Sequence, residues 1–477
     1  MSLPPESPGW RLRRKWLPAA LGAGVWLAAA AFATDHGSLR VDATHRFLEH
    51  ADGTPFFYLG DTAWTLLSRL SRDDASFYLA NRAAKGFSVI QAVVIAPEGG
   101  LTTPNANGDL PLDGGDLGRP NETYFKHVDF VVDRAAELGL VMGLLPAWGQ
   151  YWKQPGNGSP PLFTAEKARG FGRFLGRRYR TRPVIWILGG DQDIASAAER
   201  AIIDALAAGL REGDGGTHLI TYHPRGPGLS SNSLADAPWL DFNMVQSSHG
   251  GHDHDNGLFI EHDRALQPAR PTLDGEARYE CMPVGFYFAD ANRLDRFDDY
   301  DVRQAAYWSL LAGACGHTYG NNNVWQFWQP GRAPAISPNL SWRQSLDTPG
   351  AFQMGLLRRL FESRPFNRLV PDQSLLADAP RDGGAKVRAA RAADGSFAFI
   401  YSPRGEHFTV DKSVFPARRM REIWWDPRYG CAYLVHTTDT HGFQTYTPPT
   451  AGRGQDWLLI IEDTALKPAG EDVSPRP

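Results

Sequence analysis

Two acidic residues in this 477-residue sequence stand where catalysis could use them. PVIWILGGD ends on Asp191 and TLDGE ends on Glu276, so each acid follows a short apolar run and at least one glycine. Two carboxyl groups facing each other across a cleft suit cleavage of a glycosidic bond. One, protonated, releases the leaving oxygen; the other, ionised, attacks the sugar or activates water. Gly189, Gly190 and Gly275 are expected to leave room for a sugar ring. Taken singly, either acid reads as a helix cap or as a partner of Arg225 or Arg278; taken as a pair they read as catalytic. Of the neighbouring acids, Asp193 is expected to cap the next helix, Asp274 to fix the end of its strand, and Glu280 to lie further along the loop.

A rigid frame is needed to hold such a pair. The hydrophobic pattern predicts strands over 56–59, 88–95, 140–145, 184–188, 218–222, 241–245, 271–273 and 316–319. Helical periodicity falls between them. Ser71 with Asp74 reads as one helix start and Asn121 as another, while Gly86 and Gly139 read as stops. Eight strands with intervening helices predict an α/β fold of the (β/α)8 TIM-barrel kind, and no glycine-rich dinucleotide fingerprint follows the first strand. In such a barrel, the ends of strands four and seven lie roughly across the mouth. The other residues expected at strand ends are Asp61, Gln91, Trp148, His223, Gln246, His249, Tyr279, His317, Asn321 and Trp325. Asp61 would bind sugar hydroxyls. Trp148 and Trp325 would stack on sugar rings or fill the core. Gln91 would touch substrate or join an internal network. His223 and His317 would donate to substrate, orient the acids or bond structurally, and Tyr279 would donate to the nucleophile. Trp64 reads as a core residue.

GTPFFYLGDTAW, AAKGFSVIQAVV, GLLPAWG, IWILGGD, TYHPRG, DFNMVQSSH, LDGEARYE and AYWSLLAGACGHTYG together resemble the apiosidase-like glycoside hydrolases, family 140 and its relatives, over roughly residues 39–370. The resemblance implies a (β/α)8 barrel, with Asp191 as general acid/base and Glu276 as nucleophile of a retaining mechanism. It implies an oligo- or polysaccharide substrate and points to release of apiose from pectic side chains, though membership leaves the sugar open. No cofactor and no metal are expected. Two alternatives remain at this stage. One is a non-catalytic glycan-binding protein. The other is a metal-dependent hydrolase using the HGGHDHD loop, His249–Asp255, which otherwise reads as a solvated loop at the rim.

After residue 370 the texture changes to short strand-like runs separated by Gly, Pro and Asp, which predicts a small antiparallel β-sandwich over 371–466 and a disordered tail over 467–477. That segment resembles the C-terminal domain usual in the family, labelled collagen-binding in relatives; packing against the barrel is the expected role. The barrel domain is expected over 34–370. Residues 1–33 read as a signal peptide, with an uncleaved membrane anchor as the runner-up: Arg11, Arg13, Arg14 and Lys15, an apolar run nearly long enough to span and then Ala31-Phe32-Ala33. The expected location is periplasmic or secreted, with no stable membrane insertion once the segment is removed. With residues 1–33 set aside, 45 basic against 52 acidic residues leave a balance of −7 without basic runs, which argues against nucleic acid as partner. Three scattered cysteines form neither a disulfide framework nor zinc spacing. No sequence feature sets an oligomeric state.

Overall fold

The computed structural model describes residues 36–155, 161–247, 249–285, 295–416, 419–439 and 441–467. The expected signal peptide and nearly all of the expected disordered tail lie outside the described residues. Eight parallel strands carry the larger part of the chain: β1 (Tyr58–Thr62), β2 (Val89–Ile95), β3 (Val141–Ala147), β4 (Val184–Gly189), β5 (Ile220–His223), β6 (Asn243–Gln246), β7 (Thr272–Glu276) and β8 (Gly316–Tyr319). Every residue of the eight is buried, and β3 and β4 accordingly run apolar without alternation. Long helices lie between them: α1 (Arg72–Ala84), α2 (Glu122–Glu137), α3 (Ala165–Tyr179), α4 (Ala197–Asp214), α5 (Gly257–Ala265) and α6 (Asp299–Leu311); α7 (Pro349–Glu362) follows β8. Ser71 and Asn121 cap α1 and α2 through their side-chain oxygens, as the sequence suggests. Ser196, not Asp193, caps α4.

The strand order is β5-β4-β3-β2-β1-β8-β7-β6, followed by a short antiparallel strand, Gly228–Leu229, on the free edge of β6. This is a curled nine-stranded sheet, parallel except at that edge. The expected closed barrel would need a β5–β6 ladder, and none forms. The reason is local. Gly228–Leu229, in the connection leaving β5, pairs with Gln246 and Val245 and so takes the upper half of β6's edge. Lower down the gap is bridged by the Asp241 amide donating to the Ile220 carbonyl (3.0 Å) and by Thr221 Oγ1 donating to the Phe242 carbonyl (2.7 Å).

The C-terminal part folds into two antiparallel sheets, one of six strands and one of three. Alternation decides what each strand touches. Ala398 and Ile400 point to a cluster shared with the smaller sheet, including Phe408, Trp424 and Tyr446. Phe397, Phe399 and Tyr401 instead join the core of the α/β part. Phe399 meets Phe361 of α7 edge-on at 5.2 Å, and Tyr401 stacks on Tyr307 of α6 at 4.6 Å. Aromatic pairs of this kind contribute about 0.5–1.5 kcal/mol each beyond the burial of their area. Two buried ion pairs, Arg303–Asp456 (2.7 Å) and Arg364–Glu462 (2.8 Å), cross the same boundary.

Candidate active site

β4 ends in three consecutive residues with positive φ: Gly189 (91°), Gly190 (91°) and Asp191 (58°). The turn is left-handed, a conformation that two glycines accept without cost and that an aspartate tolerates better than most side chains. The glycines serve the protein and not a sugar. A Cβ on Gly189 would lie 2.3 Å from the His223 carbonyl, and one on Gly190 would lie 2.9 Å from the Gly149 nitrogen. A Cβ on Gly275 would likewise strike Met244 at 2.5 Å, so the expectation that these glycines clear a ring-sized space is corrected. The corner is braced by the Gly149 amide on the Gly190 carbonyl (3.0 Å), the Gly190 amide on the His223 carbonyl (3.2 Å) and Trp152 Nε1 on the Gly189 carbonyl (2.7 Å). Trp152 was not among the expected site residues, and its only signal is an indole in the loop directly after β3.

Glu276 is the last residue of β7. Its two oxygens are held by two imidazoles: Oε2 by His223 Nε2 at 2.9 Å and Oε1 by His249 Nε2 at 2.9 Å. His223 Nδ1 accepts the Asp191 backbone N–H at 3.3 Å. A ring that accepts at Nδ1 carries its proton on Nε2, so His223 donates to Glu276. Trp64 packs edge-on against His223 at 5.3 Å, and the half-buried Trp148 lies 5.4 Å from Trp64, so aromatic packing fixes the imidazole plane. Tyr279 lies 4.4 Å from the His249 ring. Its hydroxyl donates to Thr62 Oγ1 (3.3 Å), and burial together with the Glu276 charge keeps the phenol protonated. Gln246 stands opposite Glu276 in the β6–β7 ladder.

The two acids are displaced in opposite directions. Burial, reinforced by the nearby Glu276 charge, pushes Asp191 up to about 6, against a weaker pull from His223 and Arg225. Burial also acts to raise Glu276, but the hydrogen bonds from His223 and His249 outweigh it and hold that carboxyl down at about 2. Over the interval between, one acid keeps its proton and the other is ionised.

Five expected site residues lie elsewhere. Asp61 is fully buried beneath the rim: its Oδ2 accepts from Tyr78 Oη (2.5 Å) and Arg82 Nε (2.7 Å), both on α1. Gln91 is buried within the sheet, donating to Thr318 Oγ1 at 2.6 Å. His317 is sealed in β8, where burial pushes it down to about 3 and leaves it neutral. Asn321 caps the short helix Asn322–Trp325 and bonds Thr348 Oγ1 (3.2 Å). Trp325 is mostly buried, with its indole on Asn322 Oδ1 (3.3 Å). Glu280 is occupied by Tyr319 Oη (2.6 Å) and Thr348 Oγ1 (2.8 Å). Asp274 is buried and bonded to Asn256, Ser309 and Ser247.

The His249–Asp255 loop is partly exposed, with only His249 buried, and it is not built around one centre. His249 turns inward to Glu276, His252 bonds Asp295 and Asp301 (2.9 Å each), and Asp253 and Asp255 pair with basic residues of the C-terminal sheets. Among the described residues no group of three or more His, Cys, Asp or Glu is placed to hold a metal ion. Lys386, Arg388 and Arg404, which receive the loop's carboxylates, were not foreseen; Arg388 is 133 positions from Asp255 and has no local signal.

The family model described as "Apiosidase-like, catalytic domain" matches residues 42–368, and "Putative collagen-binding domain of a collagenase" matches residues 370–462. Among solved structures, one described as "Glycoside hydrolase" is 33% identical with a TM-score of 0.83, over 91% of this chain and 98% of its own. Another, a glycoside hydrolase family 5 structure from Bacteroides vulgatus ATCC 8482, is 30% identical with a TM-score of 0.83, over 92% of this chain and 98% of its own. No curated protein sequence matches.

Proposed function

The chain belongs to the apiosidase-like glycoside hydrolases and is a glycosidase acting on a carbohydrate substrate; from that premise we propose that it works by retention, with Asp191 as acid/base and Glu276 as nucleophile. The observation that carries the division of labour, one carboxyl protonated and the other ionised, is their opposed displacement, Asp191 up to about 6 and Glu276 down to about 2; the choice of retention rests on the resemblance to the family. In the first step a Glu276 oxygen bonds to the anomeric carbon as the bond to the leaving oxygen breaks, and Asp191 gives that oxygen its proton. In the second, water attacks the anomeric carbon, Asp191 takes the water's proton, and the glycosyl–Glu276 ester bond breaks. His223 and His249 keep Glu276 ionised and aimed while free, and share the positive end of their N–H dipoles with the departing carboxylate in the second step.

The finer assignment is family 140 and a pectic glycan bearing apiose. The motifs quoted above support it, and the leader pattern of residues 1–33 supports export. The test is a panel of aryl glycosides and pectic oligosaccharides, with NMR reading the anomer released first. Retention of configuration on an apioside is expected. First release of the inverted anomer overturns the mechanism, and turnover confined to other sugars overturns the substrate.

A further inference from the structure

We propose that the C-terminal β-domain is part of the catalytic apparatus: Lys386, Arg388 and Arg404 hold the 249–255 loop in the shape that lets His249 grip Glu276. The proposal rests on Glu276 being the nucleophile. It gives the second domain a task that does not need a ligand of its own.

The loop is fastened at three places. At its start, His249 Nε2 bonds Glu276 Oε1 at 2.9 Å. Just past its end, Asn256 Nδ2 bonds Asp274 Oδ2 at 2.7 Å, two residues before Glu276 on the same strand. Between these anchors Asp253 and Asp255 turn toward the C-terminal domain, while His252 bonds Asp295 and Asp301 (2.9 Å each) and Gln304 of α6 also donates to Asp253 (3.2 Å). Asp255 meets Arg388 Nη2 at 2.7 Å and Lys386 Nζ at 2.6 Å. Asp253 meets Arg404 Nη2 at 2.5 Å. Arg388 is fully buried and its other terminal nitrogen reaches Glu261 of α5. A buried guanidinium between two carboxylates is a fixed fork, not a mobile surface pair.

The seat is shaped to the loop. Asp253 has φ of 57°, in the left-handed region that favours glycine. A Cβ on Gly384 would fall 2.2 Å from Asp253 Cγ, so only glycine lets the second domain come this close. A Cβ on Gly257 would fall 2.5 Å from the Arg388 guanidinium carbon, the same constraint seen from the loop's side. The positive groups of this face are therefore directed inward, onto the loop. Losing them frees a turn that begins seven residues before its far anchor and carries one of the two donors to Glu276.

The test uses the full-length chain with Arg404→Ala, Arg388→Ala and Arg388→Lys, assayed on the aryl glycoside that the wild type turns over fastest. Arg404 is partly exposed and pairs only with Asp253 among the described residues, so its alanine variant should melt with the wild type. The expected result is a fall in kcat of about tenfold to a hundredfold for Arg388→Ala and a smaller fall for Arg404→Ala, with KM little changed, because the misplaced group acts on the reaction and not on binding. Arg388→Lys should recover part of the loss. Amide hydrogen exchange over 249–255 should quicken in both alanine variants. Wild-type kcat in both, or unchanged exchange over the loop, overturns the proposal. A fully active Glu276→Gln would instead overturn the catalytic assignment, and exchange would still report whether the second domain holds the loop.

Discussion

His223 donates to Glu276 Oε2 across 2.9 Å while its other nitrogen takes the Asp191 amide at 3.3 Å, so one imidazole is tied to both acid-bearing segments. Removing it should affect Glu276 first. A hydrogen bond to a charged group is worth about 1.5–3 kcal/mol, so His223→Ala should cost about tenfold to a hundredfold in kcat/KM. Its pH profile gives a sharper reading. Glu276 sits below the usual carboxylate range and is active when ionised, so activity is lost as pH falls through its pKa of about 2. Without the donor that pKa rises, and the acid-side loss should move to higher pH. An unmoved acid limb would remove His223 from this role.

Asp191 controls the opposite limb. Its proton is needed for departure of the leaving group, and burial with the Glu276 charge lifts it to about 6. Activity should therefore fall as pH rises through about 6, and the working range should be acidic. In Glu276→Gln the charge is gone while the burial remains. Carboxyl titration by infrared difference spectroscopy should then find Asp191 lower than in the wild type yet still above an ordinary aspartate.

Acid catalysis predicts a dependence on the leaving group. Asp191→Ala should lose about 10²–10⁴-fold on glycans and far less on aryl glycosides whose phenolate leaves unaided. Glu276→Ala should lose activity on both. Equal losses across leaving groups for Asp191→Ala would assign the acid to another residue.

Asp61 should behave as a fold residue. It and Arg82 are fully buried and 2.7 Å apart, and breaking such a pair from one side costs about 3–5 kcal/mol. Asp61→Asn should lower the urea midpoint markedly and leave KM of the folded fraction unchanged. A raised KM with unchanged stability would return Asp61 to the substrate site.

The acids were legible because each closes an apolar strand at a glycine, and strand ends are where a parallel sheet delivers side chains to a cleft. Asp61 was misread for a reason of parity. Successive residues of a strand face opposite sides, so a strand-end acid can point to the helices as easily as to the mouth, and Asp61 points to Tyr78 and Arg82 of α1. Gln91 and His317 were misplaced by depth: Gln91 is the third of seven residues in β2 and His317 the second of four in β8, so neither ends its strand. Asn321 is a helix cap whose helix is only four residues long, too short to leave a periodic signal. The unclosed ladder was not legible either, since it turns on the two-residue strand Gly228–Leu229. The partners of Asp253 and Asp255 lie more than a hundred residues away, where no local pattern reaches.

The gap between β5 and β6 gives the His223–Glu276 bond a mechanical meaning. His223 ends one terminal strand of the parallel set, and Glu276 ends the strand beside the other terminal one. Their hydrogen bond therefore works as a clasp where the girdle of backbone bonds is undone. In the proposed mechanism one oxygen of Glu276 is tied up by the anomeric carbon in the first step, and attack of water at that carbon returns the carboxylate, and with it the clasp, in the second.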